Sequence, residues 1–139
     1  MLKEVRFTIN EKPIPLKRHR HRFNKAYDPQ RKEKFLYKTI IKHSMKNYPI
    51  FQEELLQGPL ALTLEFYFPI PKNKKNTILY HPKRPDLDNL IKFILDVMTD
   101  ILYKDDAYIY KINAIKCYDK NPRTNVIIKE VNQLPFKEE

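Results

Sequence analysis

The sequence is poor in the residues on which several large enzyme classes depend. Its 139 residues include one glycine, Gly58, one cysteine, Cys117, one serine, Ser44, and no tryptophan. A single glycine leaves no glycine-rich loop to cradle phosphates, and one serine inside a helical pattern supplies no nucleophilic triad. A lone cysteine excludes an internal disulfide and a thiolate metal cluster, which fits a reducing cytoplasm; lying in a strand pattern, it reads as core. No apolar run approaches the ~20 residues of a membrane span, and the opening MLKEVRFTIN does not read as a signal peptide.

What remains is charge, unevenly spread. The chain carries a formal net charge of +10. Residues 1–48 hold 14 lysines and arginines against 4 acids, whereas the other 91 residues balance 13 against 13. A basic first third points to a polyanionic partner. With 42% hydrophobic residues, the length and composition suit a single domain over residues 1–139.

Against this background, six of the eight aspartates fall in the 24 residues 83–106: Asp86, Asp88, Asp96, Asp100, Asp105 and Asp106. Carboxylates gathered in so basic a protein imply a bound cation, and hard oxygen donors suit a divalent ion such as Mg²⁺. Pro85 keeps the entry to this stretch extended or turning, which would place Asp86 and Asp88 on one face. From Asp88 the apolar residues Leu87, Leu90, Ile91, Ile94, Val97, Met98, Ile101 and Leu102 recur at three and four, the period of an amphipathic helix ending near Tyr103. Asp88 is then an N-cap, with Lys92 one turn above it on the polar stripe that also carries Asn89 and Asp96. Helix capping accounts for one acid of this stretch and an ordinary polar turn for Asp105 and Asp106, but neither accounts for the whole pattern.

Arg84-Pro85-Asp86-Leu87-Asp88-Asn89-Leu90, followed by Lys92, Asp96 and Asp105-Asp106, resembles the signature of the RusA family of Holliday junction resolvases, the crossover junction endodeoxyribonucleases. The motif covers about a sixth of the chain. The resemblance implies a small, Mg²⁺-dependent, homodimeric endonuclease of four-way DNA junctions, of a kind often carried by phages and prophages and acting in recombination and repair. It implies Asp86, Asp88 and Asp106 as metal ligands, Asp105 as a close rival to Asp106, and Lys92 as the catalytic lysine. Mn²⁺ is the natural substitute ion. Family members often carry a glycine after the helix, where this chain has none.

The remaining elements are read in order. Residues 4–10 alternate as a short strand. Two prolines hold residues 12–22 extended, so that Lys17, Arg18, Arg20 and Arg22 are displayed to phosphates, with a solvated charged loop or a metal site on His19 and His21 as the alternatives. Asp28-Pro29 opens a helix with Phe35, Leu36, Ile40, Ile41 and Met45 on its apolar side and Arg31, Lys32, Lys34, Lys38, Lys42 and Lys46 around the others. Residues 60–68 alternate cleanly as a strand. A long loop then carries Lys72, Lys74, Lys75 and Lys83, with Arg84 next to them, toward the acids as a mobile DNA-contacting arm, while His81 is either a phosphate contact or an incidental loop histidine. Two strand patterns, residues 108–118 and 124–131, are joined by Asp119-Lys120-Asn121-Pro122-Arg123 and read as a terminal hairpin.

The expected fold is therefore α+β: a mixed sheet of about four strands with two helices packed on it, in the order β-α-β-α-β-β. The expected activity is metal-assisted phosphodiester hydrolysis, in which Lys92 either offsets transition-state charge or orients water. A non-catalytic DNA-binding protein such as a phage regulator, or a less selective nuclease of branched DNA, is the alternative.

Overall fold

The computed structural model describes residues 3–17, 20–22, 25–48, 54–73, 79–131 and 136. Arg18, His19, Lys74 and Lys75 lie outside the described residues. Strand β1 (Glu4–Ile9) is followed by a small hairpin of β2 (Arg20–Arg22) and β3 (Lys25–Tyr27), then helix α1 (Arg31–Met45) and strand β4 (Leu60–Pro69). Helix α2 (Leu87–Met98), a 3-10 turn (Asp106–Tyr108), β5 (Ile109–Asp119) and β6 (Arg123–Glu130) complete the order. This is the expected α+β arrangement of a four-stranded mixed sheet and two helices, with the β2–β3 hairpin added inside the basic segment.

The sheet order is β1-β6-β4-β5. Strand β4 takes the centre because Leu60, Leu62, Leu64, Phe66 and Phe68 are all buried on one face, the most continuous apolar edge in the chain. It pairs antiparallel with β6 and parallel with β5, so the last two strands do not pair with each other and the expected terminal hairpin is corrected. The turn chemistry of residues 119–123 serves a crossing over the end of β4 as well as a hairpin. Arg123 closes that crossing: its Nη1 donates to Asp119 Oδ2 at 2.7 Å and to the Asn121 carbonyl at 2.8 Å. Its guanidinium lies 4.0 Å over the ring of Tyr67 on β4.

Both helices contribute to the core, which gathers Val5, Phe7 and Ile9 of β1, the β4 row, Val126 and Ile128 of β6, and Leu90, Phe93, Ile94, Val97 and Met98 of α2. Helix α1 is turned from the expected face. Tyr37, Ile41 and Met45 are buried, together with Lys34 at 8% exposure, while Phe35 is 73% and Leu36 43% exposed. Tyr37 secures this rotation. Its ring meets Phe93 of α2 edge-on at 5.1 Å, and its hydroxyl donates to the Lys12 carbonyl at 2.9 Å. An aromatic pair of this kind adds about 0.5–1.5 kcal/mol to what its burial gives.

Helix starts and ends also move. Asp28 does not cap α1; Gln30 holds that position, and Asp28 Oδ1 accepts from the Gln30 N–H at 2.9 Å. Buried Gln30 in turn straps the proline segment, donating to the Pro15 carbonyl and accepting from the Lys17 N–H, each at 2.8 Å. Helix α2 stops at Met98 rather than near Tyr103, because Thr99 is extended and Asp100 adopts φ 69°, the left-handed conformation a glycine would otherwise supply. The Asp100 N–H donates to the Tyr103 carbonyl at 2.7 Å, and the hydroxyls of Thr99 and Tyr103 both donate to the Leu95 carbonyl at 2.9 Å.

Candidate active site

The site is built along one side of α2. Asp86 is the N-cap, with extended backbone (φ −69°, ψ 140°), and makes no side-chain capping bond. Asp88 lies in the first helical turn instead of capping it, so the two acids are not successive residues of an extended chain; its Oδ1 accepts from the Asn89 N–H at 2.9 Å. Lys92 is one turn on, its Nζ 3.8 Å from Asp88 Oδ2. Both groups are exposed, so the pair adds little stability and leaves an ammonium and a carboxylate open to an incoming charged group.

The later acid pair divides its labour. Asp105 caps the 3-10 turn, its Oδ1 accepting from the Ala107 N–H at 2.9 Å. Asp106 instead faces a hollow of about 240 Å³ that it shares with Leu16, Lys34, Lys92, Leu95 and Asp96. The shared lining sets Asp106 beside Lys92, Leu95 and Asp96 of α2. On the polar stripe of α2, Asp88 and Asp96 lie two turns apart, about 12 Å along the axis, and Asp106 shares the hollow that Asp96 lines.

The donors are oxygen-only carboxylates, which suits a hard divalent cation. With the side chains as they stand, no three histidine, cysteine, aspartate or glutamate side chains among the described residues form a group that could hold a metal ion.

The turn that presents Asp86 is clamped from β5. Lys116 Nζ donates to the Lys83 carbonyl at 2.6 Å and to the Pro85 carbonyl at 2.7 Å. The Arg84–Pro85 peptide is cis. Residues 79–81 lie along β5, with the His81 N–H donating to the Lys116 carbonyl at 3.0 Å and the Tyr118 N–H to the Leu79 carbonyl at 2.9 Å. This end of the expected mobile arm is therefore docked. His81 packs on Tyr118 (ring centroids 4.6 Å, 17°) and edge-on against Phe68 (4.7 Å), and its Nδ1 accepts from the Lys83 N–H at 3.1 Å. Burial, the Lys116 charge and the Lys83 charge hold its pKa below the usual histidine value.

Lys34 is the site-lining residue that periodicity misplaced. Counted with Tyr37, Ile41 and Met45 it falls on the buried face of α1, and its Nζ meets Asp28 Oδ2 at 2.5 Å and Asp96 Oδ2 at 2.7 Å. Burial alone would depress this ammonium, but the hydrogen bonds and charges of the two aspartates outweigh it and its pKa ends above that of ordinary lysine. Of the expected DNA-contacting cations, Lys17, Lys72, Lys83 and Arg84 are exposed, and Arg20 and Arg22 fall on β2.

Residues 11–129 match the family described as Endodeoxyribonuclease RusA. Over 142 aligned positions the chain is 28% identical to the uncharacterized protein YqaN of Bacillus subtilis (strain 168), covering 92% of this chain and 97% of that protein. Over 90 positions it is 39% identical to the crossover junction endodeoxyribonuclease rusA of Lactococcus phage r1t, covering 63% of this chain and 66% of the phage protein.

Proposed function

Because this chain belongs to the RusA family of endodeoxyribonucleases, we propose that it resolves four-way DNA junctions, as the name of its phage relative says of that protein, in recombination or repair. The reaction is hydrolysis of one phosphodiester bond in each of two strands, which calls for two active sites and hence a two-fold homodimer. Asp86, Asp88 and Asp106, which do not converge as they stand, would turn their carboxylates together around a divalent ion, with Mg²⁺ the natural choice and Mn²⁺ its substitute. Bound there, such an ion acidifies water and offsets charge on the phosphate oxygens.

The observation that carries this reading is the placement of Lys92, an exposed ammonium one turn above Asp88 that shares its hollow with Asp106. It can contact a non-bridging phosphate oxygen and offset the charge that builds there as the bond breaks. Asp105, whose Oδ1 caps the 3-10 turn, would support Asp106 by fixing that turn and is the rival ligand through its other oxygen. The exposed cations Lys17, Lys72, Lys83 and Arg84 position the backbone of the DNA.

The test uses a synthetic four-way junction with Mg²⁺ or Mn²⁺. Asp86→Asn and Asp88→Asn are expected to bind the junction normally and to lose cleavage by more than about 100-fold, since metal ligands matter more than the groups that merely orient them. Calorimetric titration should show Mg²⁺ affinity falling in the same variants. A wild-type protein that binds junctions yet never nicks them with either ion would establish the non-catalytic alternative.

A further inference from the structure

The rotation of α1 leaves Phe35 in an unusual position. It is a large aromatic side chain, mostly exposed, in the middle of a cationic surface. A groove of about 680 Å³ is lined by Asp28, Arg31, Lys32, Lys34, Phe35 and Lys38. Arg31, Phe35 and Lys38 fall at helical spacings of four and three, so they form one stripe, with Lys32 one turn before Phe35. None of Arg31, Lys32 and Lys38 pairs with an acid among the described residues. Asp28, the acid in this groove, is already matched by Lys34. Lys34 also lines the hollow that contains Lys92, Asp96 and Asp106, so the aromatic groove and the proposed cleavage site adjoin at that residue.

We propose that this groove receives a DNA strand next to the branch point, with one unstacked base lying on Phe35 and the flanking phosphates meeting Arg31, Lys32 and Lys38. The inference rests on the nuclease reading above and adds to it a specificity element. An aromatic platform framed by cations accepts any base but only one free to leave its stack, and a branch offers such bases where a continuous duplex does not. A second copy of the chain is the competing occupant for exposed Phe35 and Leu36. Centred on a two-fold axis, however, this patch would face itself, setting Arg31, Lys32 and Lys38 against their own equivalents, whereas a polyanion complements them.

The experiment compares wild type, Phe35→Ala and Phe35→Trp on a four-way junction carrying 2-aminopurine at the branch nucleotide, with sedimentation of each free protein. Phe35→Ala is expected to lower junction affinity about 5- to 100-fold, to leave the salt dependence of binding unchanged because no cation is removed, and to abolish the fluorescence change of the probe. Phe35→Trp should restore both, and melting temperatures should not move, since the side chain is exposed. Wild-type affinity and an unaltered probe signal in Phe35→Ala would overturn the proposal. So would a smaller sedimenting species for Phe35→Ala than for wild type, which would assign the patch to a second copy. Failure of the nuclease reading is read separately, as absence of cleavage by wild type.

Discussion

Removing the Lys116 ammonium should slow cleavage without weakening junction binding. Lys116→Met keeps the aliphatic stem that packs on the same face of β5 as Ile112 and Ala114, and deletes only the donors to the Lys83 and Pro85 carbonyls at 2.6 and 2.7 Å. A hydrogen bond from a charged donor contributes about 1.5–3 kcal/mol. Lys83 is exposed and Pro85 half-buried, so water replaces part of each bond and the pair together is worth about 1.5–3 kcal/mol. Backbone pairing of His81 with β5 survives the change, and the loss is therefore concentrated in the turn that presents Asp86. Converted at 1.4 kcal/mol per decade, the equilibrium constant for correct placement of Asp86 falls about 10- to 100-fold. The assay is single-turnover cleavage of a junction at saturating enzyme, beside a binding titration and a melt. Cleavage is expected to fall by up to that factor, with affinity nearly constant and the melting temperature lower by a few degrees. Lys116→Arg, whose fork can reach both carbonyls, should recover part of the rate. A wild-type rate in Lys116→Met would refute the clamp. Parallel collapse of binding, rate and melting temperature would show Lys116 to be a general fold determinant instead.

Two further outcomes follow from the same frame. Gly58→Ala builds a Cβ only 2.7 Å from Tyr108 Cβ and 3.1 Å from its carbonyl oxygen, forcing apart the segment before β4 and the turn that carries Asp106; a loss of about 1–3 kcal/mol, read by thermal or urea melting, should accompany slower cleavage. For His81 the folded-state pKa lies below the unfolded value of about 6.5, so the unfolded chain binds the extra proton first. Its contribution to stability is complete above that pH and is lost as pH falls from there through the folded pKa. Urea midpoints measured down this range should decline more in wild type than in His81→Gln, and equal slopes would show that the ring does not report on folding.

Much of the fold was legible because burial leaves a periodic trace. The 60–69 strand announced itself by strict alternation, and α2 by its three-and-four spacing. The acids of residues 86–106 and Lys92 stood out by residue type alone. Helix α1 misled because Phe35 and Leu36 are apolar yet exposed, while Lys34 is charged yet buried between Asp28 and Asp96. Periodicity counts hydrophobicity and is blind to an ion pair that makes a lysine fit an interior.

By itself the sequence determined which side chains are available: a basic first third, a run of carboxylates around one lysine, and the alternations that commit segments to strand or helix. Tertiary structure decided which of them meet. Residues 119–123 read the same for a hairpin as for a crossing, and only the stronger apolar row of β4, by claiming the centre of the sheet, separated β5 from β6. That same pairing made β5 parallel to β4, brought Asp106 beside Lys92 while Asp105 became a cap, and set Lys116 under the turn before Asp86. Such choices rest on contacts between residues far apart in the chain, whose energies depend on packing partners that no local pattern specifies.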